Sequence, residues 1–352
     1  MSRMRGPAVM LSQFMGDAPP FDTLEGVVRW LAGFGYVGVQ VPVHDSRLID
    51  LQRAATENGY CRDYRARLAD LGVEITELAA HRAGQLMAVN PAFSDISDVF
   101  APPAMRGDAG LRTRWAEQQL RLAIDAAARL GLQRVACFSG SFAWPYFYPW
   151  PPAPPGLVEA AFAELARRWR PLLQHAEDAG IDLCFELHPG EDLHDGVTFD
   201  RFLGLVDGHR RARILFDPSH MLLQHMDYLG FIEQYGPRIA AFHVKDAEFV
   251  RSARSGVYGG FQDWAQRPAR FRSLGDGQVD FRGVFSRLAA AGYTGWAVLE
   301  WECCLKRKED GAREGAPFIA RHIIAVTDKP FDAALRRPVD PATAQRILGI
   351  AP

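Results

Sequence analysis

Leu183-Cys184-Phe185-Glu186-Leu187-His188-Pro189-Gly190-Glu191 is a short apolar run that ends in an acid, a histidine and two breakers of regular structure. Such a run reads as a buried strand that delivers polar side chains at its C-terminal tip. Alternation along a strand puts Cys184, Glu186 and His188 on one face and Leu183, Phe185 and Leu187 on the other. Glu186 therefore points where a cysteine points. An unpaired carboxylate there is costly, so it demands a partner such as a cation.

The pattern recurs three times downstream, in Ile214-Leu215-Phe216-Asp217, Ile239-Ala240-Ala241-Phe242-His243 and Trp296-Ala297-Val298-Leu299-Glu300. Four strands thus end in Glu186, Asp217, His243 and Glu300, separated by 31, 26 and 57 residues. Those intervals suit successive βα units with one longer insertion, and parallel neighbouring strands bring their tips together. One acid at a strand end usually caps a helix or sits on the surface. Four in sequence order, three oxygen donors and one imidazole, form a set that Mn²⁺, Mg²⁺, Co²⁺ or Zn²⁺ accepts.

The same alternation runs along the rest of the chain. Strands are expected over 9–14, 37–41, 73–80 and 134–138 before the four already named. The helical spacing covers 51–71, 111–130, 157–179, 198–206, 228–235, 281–291 and 313–326, and a first helix opens at Asp22 or Thr23 and ends near Gly35. Eight such units predict an α/β fold, a single-domain (β/α)8 barrel over residues 1–326 with a short peripheral tail over 327–352. The turn Ser12-Gln13-Phe14-Met15-Gly16-Asp17 lacks the GxGxxG pattern that an open dinucleotide-binding sheet would show. Three βα loops are long: 81–110, which carries Gln85, the aromatic and proline-rich 142–152, and 247–279. Loops of that length serve as lids, binding loops or interface arms. The aromatic loop suits either cover for a sugar ring or contact with a second subunit.

A net charge of −2 from 40 basic and 42 acidic residues, without a basic block, gives no reason to expect nucleic acid. The apolar run after the basic start Met1-Ser2-Arg3-Met4-Arg5 is too short for a signal peptide, and no span suits a membrane, so a cytoplasmic protein is expected. Five cysteines without CxxC spacing read as reduced thiols.

Glu186-x-His188-Pro189, Asp217-Pro218-Ser219-His220, Phe242-His243-Val244-Lys245-Asp246 and Leu299-Glu300-Trp301-Glu302 together resemble the xylose isomerase-like TIM barrel superfamily. The resemblance runs over about residues 8–326 and lies nearest the sugar isomerase and epimerase branch, with its ketose 3-epimerases, inosose dehydratases and enzymes of 3-keto-glycosides. It implies one divalent metal, commonly manganese, with Mg²⁺, Co²⁺, Zn²⁺ or Fe²⁺ as alternatives, on Glu186, Asp217, His243 and Glu300. It also implies that the two glutamates face opposite sides of a carbohydrate substrate. The ketose 3-epimerases carry an arginine six residues after the metal histidine, where this chain has Phe249.

A hard cation beside a carbonyl makes the neighbouring C–H acidic, so the site is expected to run proton transfer through an enediolate. Epimerisation or isomerisation of a keto-sugar or keto-glycoside is the leading outcome. Elimination by a dehydratase-type lyase is the alternative, and an endonuclease IV-like phosphodiesterase the second. Glu186, Glu300, His188 and His220 are the candidate catalytic groups, and His188, His220, Lys245, His81 and Gln85 the candidate substrate contacts. Glu302 shares a strand face with Glu300, which is favoured because it stands nearer the strand body. The alternative for Lys245 is a salt bridge to Asp246 or Glu248. A homo-oligomer is compatible with the long loops.

Overall fold

The computed structural model describes residues 4–258 and 260–350; the basic residues 1–3 and the last two residues of the tail lie outside the described residues. Eight strands, β1 (Arg5–Met10), β2 (Gly38–Pro42), β3 (Glu74–Ala79), β4 (Arg134–Cys137), β5 (Asp182–Glu186), β6 (Ala212–Phe216), β7 (Ile239–Val244) and β10 (Trp296–Leu299), close into a parallel barrel. An antiparallel pair, β8 (Asp246–Phe249) with β9 (Ala269–Arg272), lies outside it. The fold is the expected (β/α)8 barrel, with helices between its strands.

The barrel strands are near-continuous apolar runs because both of their faces are buried. Outward side chains pack under the helices: Phe185 meets Trp169 and Phe202 edge-on, with ring centroids 4.7 and 5.4 Å apart. Each such aromatic contributes ~1.5–3 kcal/mol by leaving water. Inward positions are mostly small or medium, with Ala8, Met10, Ala79 and Val298 on one side beside the larger Trp296, and Ala136, Cys184, Leu215 and Ala241 on the other. That filling leaves space near the C-terminal mouth for polar groups. Helix ends follow local chemistry: the Thr23 hydroxyl accepts from the Gly26 N–H at 3.2 Å, and Asp195 with Thr198 forms a capping box.

Four boundaries differ from the sequence reading. The first strand starts at Arg5 and stops at Met10, because Ser12–Phe14 wind into a single 3₁₀ turn that carries Gln13 over the mouth. The helix expected over 51–71 is two, Leu51–Thr56 and Asn58–Asp70, broken where Glu57 is extended and stands at the N-cap position of the second without a side-chain cap. Asn58-Gly59 propagates a helix poorly, and the barrel's curvature favours the bend. The helix expected over 313–326 is Lys308–His322, and the tail beyond it carries an exposed helix, Pro341–Leu348. The loop expected over 247–279 contains the β8 and β9 pair, pinned by Asp246, whose carboxylate accepts from the N–H groups of Gly275, Gly277 and Val279 at 2.9, 3.0 and 3.1 Å. No helix among the described residues is long and apolar enough to cross a membrane.

His81 opens a short helix, His81–Gln85, that lies against the tip of β4. At Gly84 the two backbones meet so closely that an added Cβ would collide with the Phe138 carbonyl oxygen and lie 2.8 Å from its nitrogen. Gly84→Ala is therefore expected to destabilise the fold by about 1–3 kcal/mol, lowering the thermal midpoint by several degrees. Thermal unfolding monitored by circular dichroism checks this, and an unchanged midpoint would contradict the close approach.

Candidate metal centre

Strand register sets the height of each side chain at the mouth. Leu215 stands opposite Ala241, which brings Asp217 level with His243, and Val298 stands opposite His243, which brings Glu300 level with Lys245. Ligand atoms of Glu186, Asp217, His243 and Glu300 all lie within 4.8 Å of one another, and all four residues are buried. The sequence reading of these four as one cluster matches the geometry.

Each member is aimed by a neighbour. Asp217 caps the short helix Pro218–Leu223, with one carboxylate oxygen accepting from the Ser219 N–H at 2.8 Å. Its other oxygen, Oδ2, is buried without a hydrogen bond and faces the cluster. Glu186 Oε1 is likewise unsatisfied, 3.5 Å from His243 Nδ1 and 3.4 Å from His220 Nε2. His243 Nε2 lies 3.1 Å from the Gln40 carbonyl oxygen, and the Gln40 amide donates in turn to Glu77 at 3.2 Å. Donation from Nε2 to Gln40 fixes the tautomer that leaves Nδ1 free to bind a cation. Glu300 accepts from Gln13 at 3.3 Å on one oxygen and from Lys245 at 3.1 Å on the other. Two orphaned buried carboxylate oxygens in a cluster whose four ligand atoms lie within 4.8 Å of one another are what a divalent ion satisfies, so the residues fit one.

The electrostatics agree. Burial disfavours charge on Glu186, yet the His243 charge and the contacts of three histidines hold its carboxyl well below the usual range. Burial also opposes charge on His243 and Lys245, but the carboxylates around them push both well above their ordinary values. Burial raises Asp217 well above the carboxylate range, Lys245 notwithstanding. Without a metal, positive charge on His243 and Lys245 answers the carboxylates of Glu186, Glu300 and Glu302, and burial favours the neutral form of Asp217. A dication would meet the same carboxylates, competing with the protons on His243 and Asp217.

The other predicted residues divide. His220 lies 3.3 Å from Asp217 and 3.4 Å from Glu186, and burial with nearby His188 and Lys245 depresses it to about 3, so the ring is neutral at pH 7. His188 packs against it at a tilt of 57°, with ring centroids 4.0 Å apart. His81 Nε2 is 3.0 Å from Glu186. Gln85 lies instead beside Glu191, a buried acid raised to about 8 by burial and bonded to the Gly140 N–H at 2.6 Å. Lys245 does not pair with Asp246 or Glu248: Asp246 closes the insertion and Glu248 binds Arg270 and Arg272 at 2.6 and 2.7 Å. Lys245 reaches Glu300 at 3.1 Å and Glu302 at 2.7 Å, so Glu302, with its side chain 40% exposed, supports the lysine while Glu300 joins the cluster.

Sequence reasoning missed Gln13, Gln40, Glu77 and Phe271. Gln40 left a signal, as the lone polar residue at an inward position of an apolar strand. Phe271, under the Lys245 ammonium at 4.2 Å and against His220 at 5.3 Å, left none, because it comes from the inserted β9. The aromatic loop is anchored by Asp192, which accepts from the Ser141 hydroxyl and from the N–H groups of Phe142 and Ala143 at 2.8–2.9 Å.

A family model described as "Xylose isomerase-like TIM barrel" matches residues 28–322. The chain belongs to that family. An inosose dehydratase from Klebsiella pneumoniae (strain 342) is 31% identical over 156 residues, 43% of this chain and 50% of that protein. The chain spans about half the length of the curated relatives it matches first. Among solved structures, an L-ribulose 3-epimerase superposes with a TM-score of 0.60 at 16% identity, covering 94% of this chain and 100% of that one. The apo form of 3-keto-D-glucoside 4-epimerase YcjR from E. coli superposes at 0.59 and 15%, covering 90% and 97%. These likenesses are of fold.

The purified protein is expected to hold about one equivalent of a divalent metal that Asp217→Ala loses, and Gln40→Leu should weaken affinity by roughly 10–100-fold. Binding displaces protons from His243 and Asp217, so affinity should rise with pH, by up to roughly a hundredfold per unit, until both groups are deprotonated. Metal analysis and titration at several pH values measure both; a stoichiometric metal indifferent to Asp217→Ala would refute the assignment.

Proposed function

We propose that this chain is a divalent-metal-dependent enzyme that removes a proton next to the ketone of a keto-sugar, keto-glycoside or cyclic polyol ketone, and that it completes the reaction as a lyase by losing water. The observation that carries the reading is the buried four-donor cluster with unsatisfied oxygens on Glu186 and Asp217, beside the buried ammonium of Lys245. A divalent ion held there would polarise a ketone and its neighbouring hydroxyl, the chemistry that makes an α-hydrogen removable. Manganese is the first candidate, on the family resemblance.

Glu186, whose carboxyl is held low by His243 and the other histidines around it, takes the α-proton on Oε2, the oxygen beside His81, while Oε1 faces the cation site. Lys245 stands 3.1 Å from Glu300 as a charged donor and gives a proton to the departing hydroxyl. The C–H and C–O bonds break, a C=C bond forms and water leaves. A proton passing back from Glu186 to Lys245 resets the pair. His188 and His220 hold substrate hydroxyls, His81 steadies Glu186, and the walls formed by Phe138 and Phe271 exclude water. The inosose dehydratases among the relatives at 31% identity support elimination.

Epimerisation or isomerisation is the second reading, supported by the family resemblance, which implies that Glu186 and Glu300 face opposite sides of a substrate. The difference lies in what the acid protonates: oxygen for elimination, the opposite face of a carbon for epimerisation. Phe249 stands where the ketose 3-epimerases resembled here carry arginine, and it packs on His225 at 4.2 Å, which favours the lyase.

In D₂O the metal-loaded protein should introduce deuterium next to the carbonyl of at least one member of a panel of inososes, ketohexoses and 3-keto-glycosides, with water lost from the same compound. Lys245→Met should lower product formation by about 10²–10⁴-fold while retaining more of the exchange. Glu300→Gln should abolish turnover and loosen the metal, with Glu302→Gln milder. Inverted substrate without loss of water would establish the epimerase, and no exchange across the panel would refute both readings.

A further inference from the structure

The two ends of the Gln40 amide are nearly equal in size, so its own shape does not decide which of them meets His243. Turned one way, the carbonyl oxygen lies 3.1 Å from Nε2, the ring carries a proton there and Nδ1 is free for a cation. Turned the other way, the NH₂ group would face Nε2 as a donor, and the ring proton would sit on Nδ1. That nitrogen is 3.1 Å from Glu300 and 3.5 Å from Glu186, so both carboxylates would hold the proton where a metal must bind. The sense of one amide thus separates an open metal centre from a closed ion pair.

Glu77 imposes that sense. It stands on β3 next to Gln40 on β2, is 2% exposed, and its Oε1 accepts from the Gln40 Nε2 at 3.2 Å. A carboxylate offers only acceptors, so the NH₂ end of Gln40 must turn to Glu77 and the carbonyl end to His243. Its other oxygen, Oε2, is buried without a hydrogen bond, and Arg134 at the start of β4 lies within reach of its charge. A carboxylate kept so deep and half unpaired is costly. A glutamine of the same shape would bond to Gln40 in either sense at lower cost, so what the carboxylate adds is direction.

We propose that Glu77 is a positioning residue that locks the Gln40 amide in the one sense that leaves His243 Nδ1 open to a divalent cation. It acts through Gln40 and touches neither the cation nor the substrate. The assignment rests on the metal centre of the proposed enzyme and is independent of whether that centre runs elimination or epimerisation.

Calorimetric titration with Mn²⁺ and histidine nitrogen NMR of the Zn²⁺-loaded protein test it without turnover. Glu77→Gln keeps the shape but frees the amide to turn, and should weaken Mn²⁺ binding about tenfold. The exchanged pair, Gln40→Glu with Glu77→Gln, sets the carboxylate against Nε2 and should restore affinity to within about threefold of wild type, because only acceptors again face the ring. A residue needed only for packing would show no such rescue. Thermal unfolding establishes that each variant is folded. In the wild-type spectrum the His243 proton should lie on Nε2 and the metal on Nδ1, a reading that stands even if the exchanged pair does not fold. Metal bound through Nε2, Mn²⁺ affinity unchanged in Glu77→Gln, or a folded exchanged pair that stays weak would each overturn the role of Glu77. Any of these in a protein that still exchanges deuterium would leave the proposed reaction standing. Wild-type protein that binds no divalent metal would overturn both.

Discussion

Charge balance in a space closed to water is the constraint on which the rest of this structure depends. Three carboxylates, an imidazole and an ammonium converge where burial penalises every unpaired charge. No member is tolerable alone: Glu300 rests against Lys245, Lys245 against Glu302, and Glu186 against three histidines. A network of this kind stores little net stability. It fixes one arrangement, because removing any partner strands another in the dry interior.

The barrel supplies that interior by economy of side chains. Alanines and a cysteine at inward positions let the polar groups sit at one end, and register between neighbouring strands sets them at a common height. Around them lies a second tier of aim. Gln40, donating to Glu77, orients His243, and Ser219 turns Asp217 so that one oxygen is bound and the other free. The supporting hydrogen bonds thus decide which lone pairs face the substrate.

The loops then shape what can approach. Asp192 roots the aromatic loop beside β5, and Asp246 roots the insertion after β7. The two insertions meet through Tyr148 and Tyr258, whose rings pack edge-on at 5.3 Å. Their exposed aromatics, Trp150 and Phe261 among them, remain open to either role expected of such loops, sugar cover or contact with another subunit.

The sequence by itself determined the barrel and the four donors, because both follow from short-range periodicity. Apolar runs closing on Glu186, Asp217, His243 and Glu300 need only strand alternation and parallel order to be read. It also narrowed the first helix start to Asp22 or Thr23, of which Thr23 is the cap, where one side chain serves its own backbone. What only the tertiary structure decided concerns groups brought together from distant parts of the chain. Gln13 reaches Glu300 across 287 positions and Gln40 reaches His243 across 203, and Lys245 chose Glu300 and Glu302 over the adjacent acids that sequence proximity suggested. Phe271 reached the site only through an insertion whose strand pairing is antiparallel and local to itself. Periodicity fixes which face a side chain occupies, whereas its partner is set by register and loop path, which emerge only when the barrel closes.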